Sequence, residues 1–233
     1  MKIYELSDIF DKLIVVLNKP IVSELRDLSS ETISVLNPVA GVITNMANKL
    51  VTGWNTFKLN QLLKGLSYQS NTEMRINELY NYICLCDDNA ISVANLLTKT
   101  VNAESPKSCL IYGLILADHL GDNRSFSQDE LIVCKAIENA TDYDLMRFKT
   151  IMESFIVESG NRTKVVIPAR TDERKEIMAT CDWCVYNRLF TVEYAEIVNG
   201  ALKIDRVCYV SSPADTLYKY LTTLKRACDY DTK

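Results

Sequence analysis

Histidine and glycine are the scarce resources of this chain: one histidine, His119, and seven glycines among 233 residues. No two glycines lie close enough to form a GxGxxG turn or a GxxxxGK phosphate loop, which excludes the common nucleotide cradles. Ser–His–Asp and Cys–His catalysis would each need His119 as the base. No serine stands in a GxSxG or SxxK context. These absences weigh against an enzyme, so no catalytic residue, metal ligand, nucleotide or other cofactor is assigned. A metal-dependent hydrolase around Asp118, His119 and Asp122 is the residual enzymatic alternative.

Charge of one sign is also missing. The formal net charge of −4 argues against a general nucleic-acid binder, which is basic overall. Residues 61–160 hold eight basic and fourteen acidic side chains, whereas 161–233 hold twelve and ten. An anion-binding surface therefore belongs in the C-terminal third. The opening MKIYELSDIFDKLIVV has acids inside its apolar run, unlike a secretion signal. With eight dispersed cysteines, several on apolar helical faces, this implies a reducing cytoplasm and unpaired thiols.

What is present is helical periodicity. Residues 7–17 and 21–36 read as helices separated by Pro20. Residues 32–48 carry no charge, and Leu36, Val39, Val42, Ile43, Met46, Leu50 and Trp54 form a broad apolar stripe. That stretch is shorter than the roughly 20 apolar residues of a spanning helix and contains Pro38 and Gly41. It reads as a buried, oligomer or partner contact, with a membrane-active segment at 36–54 as an alternative. Further helices follow in NTFKLNQLLKGLS and TEMRINELYNYICL, in ISVANLLTKTV capped by Asp87 or Asp88, and in KSCLIYGLILADHL between Ser105-Pro106 and Gly121. Ser127 and Glu130 have capping-box spacing for DELIVCKAIENA. Thr141 or Asp142 caps DLMRFKTIMESFIVES, which runs to Gly160.

The pattern changes near residue 160. TKVVIPA (163–169) reads as a short edge strand, and 171–190 as a helix facing inward with Ile177, Met178, Cys181, Cys184, Val185 and Leu189. Asn199-Gly200 between two β-rich runs signals a hairpin at 191–210. Ser212-Pro213 opens a last helix. The fold class is therefore mainly α: a multi-helix body over 1–124, then a small α+β, winged-helix-like module over 125–233.

Three motifs could carry function. Cys181-Asp182-Trp183-Cys184 is a CxxC, but it falls inside a helix on an apolar face and has no second pair. It reads as core, with Trp183 as an anchor for the hairpin. His119, near a helix C-terminus, reads as a cap. Arg174, Lys175, Arg188, Lys203 and Arg206 are the candidate nucleic-acid contacts, with 171–188 as recognition helix and Lys203 and Arg206 on the wing. Asp172, Glu173 and Glu176 beside them repel phosphate, so a solvated, ion-paired helix face competes with that reading.

The order INELY (76–80), ANLLTK (94–99), SQDELIVCKAI (127–137), NRLF (187–190) and CYVSSPADTLYKYL resembles the bacterial abortive-infection alpha group, helical proteins associated with phage defence. The resemblance spans roughly 35–221 and carries no catalytic residues. It implies a cytoplasmic bacterial or phage protein acting through contacts. The leading expectation is a non-enzymatic interaction or regulatory protein with a protein partner or self-association. A winged-helix DNA-binding regulator and a membrane-active effector are the alternatives.

Overall fold

The computed structural model describes residues 53–68, 70, 72–122, 124–159, 162–168, 174–192, 197–198, 201–202 and 206–230. The helices expected before residue 37, the stripe from Leu36 to Leu50, and Lys203 lie outside these. Of Trp54, only its place in the first turn of a helix is described. The described part is mainly helical, with a small antiparallel sheet in its C-terminal part. Contacts divide the chain into two compact units, Met1–Phe126 and Ser127–Lys233.

The first unit contains α1 (Gly53–Leu66), α2 (Thr72–Leu85), α3 (Asp87–Asn102) and α4 (Pro106–Asp122). Leu59, Leu62, Leu63 and Leu66 recur at helical spacing and are buried. Phe57, read from the sequence as part of that stripe, is 40% exposed. Facing them are Leu79 and Tyr82 of α2, Val93 and Leu96 of α3, and Ile111 and Ile115 of α4, all buried. The closest packing is between α1 and α4, and two glycines permit it. A Cβ at Gly65 would stand 2.1 Å from the Leu110 carbonyl oxygen, and one at Gly113 would stand 2.0 Å from that of Leu62. Both obstructions are backbone, so neither can move aside as a side chain could.

The ends of these helices follow local chemistry, with corrections. Ser105 caps α4 by accepting from the Lys107 and Ser108 amides, and Pro106 opens the helix. Gly121 does not stop α4, which continues to Asp122. Neither Asp87 nor Asp88 caps α3. The N-cap is Cys86 without a side-chain bond, and both aspartates lie in the first turn, where the helix dipole favours them. At the other end of α3 the buried Lys58 ammonium donates to the Val101 carbonyl at 2.7 Å.

The second unit runs α5 (Gln128–Ala136), α6 (Asp142–Ser154), β1 (Ile156–Ser159), β2 (Arg162–Ile167), α7 (Arg174–Tyr186), β3 (Phe190–Val192), β4 (Ile197–Val198), β5 (Ala201–Leu202), β6 (Arg206–Val210) and α8 (Ser212–Tyr230). Ser127–Glu130 and Thr141–Asp144 both form complete capping boxes. Strand order is β1-β2-β6-β3, antiparallel throughout. The hairpin expected at 191–210 is present. β3 pairs with β6 from Phe190↔Val210 to Val192↔Cys208, and β4 pairs with β5 across positions 199 and 200.

Three expectations are corrected here. Helix α6 ends at Ser154 rather than Gly160, because Ile156 and Val157 are β-branched and the segment pairs with β2, Ile156 opposite Val165. That pairing makes β2 an inner strand, not an edge, and Pro168 follows it without interrupting the ladder. Helix α7 stops at Tyr186, where Arg188 adopts φ 62° and its amide bonds to Val185, while the Leu189 amide bonds to Cys184.

The sheet's inner face contributes Val165, Ile167, Phe190 and Cys208, all buried. Phe148 of α6 joins it, with its ring centroid 5.9 Å from that of Phe190. Leu217 and Leu221 of α8 are buried too, and α8 packs on α5, where the Tyr220 hydroxyl donates to the buried Glu130 carboxylate at 3.2 Å. Between β2 and β3 the one described helix is α7.

Candidate functional site

The basic residues singled out from the sequence have different fates. The Arg174 guanidinium donates to the Ile167 carbonyl at 3.2 Å and to that of Pro168, closing the segment after β2. Arg206 is held at 2.6 Å by Asp182 of α7. Lys175 and Arg188 are exposed. Two of the five candidates are therefore committed to bonds inside the chain.

His119, expected to act as a cap, is in the last turn of α4 and fully buried. The ring stacks on Phe126 at 3.8 Å, and Nδ1 lies 2.9 Å from the Arg124 carbonyl oxygen. The Tyr82 hydroxyl donates to the same oxygen at 3.0 Å. A donor at Nδ1 is the tautomer that fits this acceptor. The residue ties down the segment after α4. Asp122 stands on the surface, 3.5 Å from Arg124. Among the described residues no three His, Cys, Asp or Glu side chains are grouped so as to hold a metal ion.

Helix α7 and strand β6 bring together what the sequence left apart. Cys181 and Cys184 lie one turn apart on the buried face of α7, and Cys208 is at the centre of β6; each is fully buried. All three are thiols and not disulfides. The Cys181 thiol and the Arg206 guanidinium both act on the Cys208 sulfur through hydrogen bonding, and Arg206 also through its charge. The bond from Cys181 is the largest influence on Cys208. Burial works against it, but Arg206 adds to it, and the Cys208 pKa falls from 9.0 to about 6. The same bond, with burial, drives Cys181 upward. Burial also raises Cys184, helped by Cys208 and by Asp144 of α6. Two dissimilar thiols thus face each other: Cys208 as thiolate acceptor and Cys181 as protonated donor.

Cys208, outside the CxxC, was not singled out from the sequence. The available signal was its position one residue from Val207 and two from Arg206 on a predicted strand, a cation and a thiol two apart and so on the same side of the pleat. Trp183, expected to anchor the hairpin, meets Phe148 of α6 edge-on, with centroids 6.4 Å apart.

A second grouping lies on the surface. Tyr143, Met146 and Arg147 occupy neighbouring positions on one side of α6, and Tyr143 and Met146 are 52% and 47% exposed. The Tyr143 hydroxyl donates to the Glu176 carboxylate of α7, and Arg147 bonds both to Glu176 and, at 2.6 Å, to the Tyr143 oxygen. The Arg147 guanidinium also lies 5.1 Å from the Tyr143 ring centroid.

No family model, no curated protein and no solved structure matches this chain.

Proposed function

We propose that this protein works by recognition and not by catalysis, as an interaction or regulatory protein of a bacterial or phage system. The observation that carries this reading is the α6 surface: an exposed tyrosine and methionine beside a half-buried arginine, with the tyrosine and the arginine already fixed by Glu176. Tyr, Met and Arg are the residue types that anchor protein interfaces. Holding them in place before contact lowers the entropy cost of ordering them on binding. The bacterial or phage setting, and a connection with phage defence, rest on the resemblance of residues 35–221 to the abortive-infection alpha group.

The test compares the tagged full chain with its Met146→Asp variant in a bacterial extract. Met146 is exposed, so the substitution leaves folding intact by circular dichroism. A protein retained by the first and lost by the second supports the reading. Identical retention profiles, with both chains monomeric by light scattering, contradict it.

A second reading, a winged-helix DNA-binding regulator, draws on the β3–β6 hairpin that follows α7 and on exposed Lys175 and Arg188. Binding to duplex DNA at low salt that weakens steeply as salt rises is its signature. No mobility shift at low salt rejects it.

A further inference from the structure

The chain contains a chemical grouping that neither reading uses: three buried thiols on two elements, with a cation beside one of them. We propose that Cys181 and Cys208 form a redox site, a dithiol that a hydroperoxide converts to a disulfide linking α7 to β6. The assignment rests on geometry. Cys181 on the buried face of α7 and Cys208 on the inner face of the sheet are both fully buried, and each thiol is the foremost influence on the other, so the two are close neighbours. Arg206 lies two residues from Cys208 in β6, on the same side of the pleat, and is itself anchored at 2.6 Å on Asp182, the residue after Cys181. The cation therefore ties together the two strips of chain that bear the reacting sulfurs.

Among the described residues, the charged and titratable groups around the site are few. They are Cys181, Asp182 and Cys184 from α7, Arg206 from β6, and Asp144 of α6 toward Cys184. Arg206 is the one cation among them; it acts on Cys208 through hydrogen bonding and charge, and on Cys181 through charge alone. This makes Cys208 the nucleophile and Cys181 the resolving thiol.

The chemistry balances as follows. The Cys208 thiolate attacks one peroxide oxygen, the O–O bond breaks, and the leaving hydroxide takes a proton to become water. Cys208 is then a sulfenic acid. Cys181 attacks the Cys208 sulfur, the S–O bond breaks, and the Cys181 proton leaves with the hydroxyl as a second water. Two thiols are oxidised by two electrons and one peroxide is reduced to two waters. The sulfurs are buried and Arg206 is partly exposed, so the reagent must be small, and hydrogen peroxide meets that limit.

Cys184 sits one turn from Cys181 on the same helix face. A Cys181–Cys184 disulfide would have to close within continuous helix, whereas Cys208 already contacts Cys181. Cys86, exposed in the other unit, is an internal reference for an ordinary surface thiol.

The experiment treats the full chain with stoichiometric hydrogen peroxide, traps remaining thiols by alkylation under denaturing conditions, and maps peptides without reduction. The expected product is a Cys181–Cys208 linked peptide, absent after dithiothreitol, while Cys184 is recovered alkylated. The Cys184→Ser variant retains the link and Cys208→Ser loses it. Because Cys208→Ser can destabilise the core, the deciding result is the map of the unsubstituted chain. Recovery of Cys181 and Cys208 as alkylated thiols while Cys86 is oxidised overturns the proposal. So does a Cys181–Cys184 link.

Discussion

At the scale of single residues, Cys208 makes the sharpest prediction. Its folded pKa is lowered from 9.0 to about 6. Thiolate absorbance near the ultraviolet edge should therefore show a step centred on about pH 6 in the native chain, missing in Cys208→Ser. A single rise near the ordinary thiol range would contradict this. A depressed acid pKa also gives stability its sign. This contribution is full above the unfolded value near 9 and is lost as pH falls toward about 6, because only the unfolded state then holds the proton. A second residue prediction concerns Arg188, whose φ of 62° lies in the left-handed region. Replacement by glycine removes a Cβ penalty of roughly 1–2 kcal/mol, so Arg188→Gly should raise the melting temperature. If it lowers the melting temperature, the guanidinium is contributing more than that strain costs. Neither feature could be read with confidence from sequence. The CxxC drew attention to itself, but its partner is supplied by a strand 24 residues beyond, and only β6 pairing places Cys208 beneath α7.

At the scale of elements, helix starts were the most legible part of the chain. Ser105-Pro106, Ser127–Glu130 and Thr141–Asp144 perform the capping their spacing implies, because capping is a local interaction between residues two or three apart. Ser127→Ala and Thr141→Ala should each cost about 1 kcal/mol in chemical denaturation. Unchanged midpoints would mean that packing and not the caps sets those helix starts. Helix stops were less legible, since they depend on what lies across the fold. Residues 156–159 continue a helical apolar pattern, yet pairing with β2 makes them a strand. The glycines were read only for the loops they could not form. Their use is at the α1–α4 crossing, where Gly65 and Gly113 let two backbones meet. Gly65→Ala and Gly113→Ala should each destabilise by about 3 kcal/mol, the upper end of overpacking. Gly121→Ala, with nothing within 4 Å of the added Cβ, should be neutral or gain up to about 1 kcal/mol. Equal effects at all three positions would refute the close crossing.

At the scale of the whole molecule, the helical body followed by a small α+β module was legible because the hydrophobic period changes near residue 160. The order of the sheet was not. Nothing local says that β6 inserts between β2 and β3, which is what places Arg206 against Asp182 and Tyr209 opposite Lys164. The proposed recognition surface was also hidden. Tyr143, Met146 and Arg147 look like ordinary members of an amphipathic helix until Glu176 arrives from α7 to fix Tyr143 and Arg147. Of the expected apolar contact at 36–54, all but Gly53 and Trp54 lies outside the described residues, so the recognition reading rests on α6.

That reading is tested most directly by placing a photo-reactive side chain at position 146 in the full chain and irradiating it in living bacteria. A control at Asn102, exposed on α3, reports nonspecific neighbours. The expected result is a discrete adduct of one protein, another molecule or a second copy, at position 146 and not at 102. No adduct at 146, or the same adducts at both positions, would contradict recognition through α6.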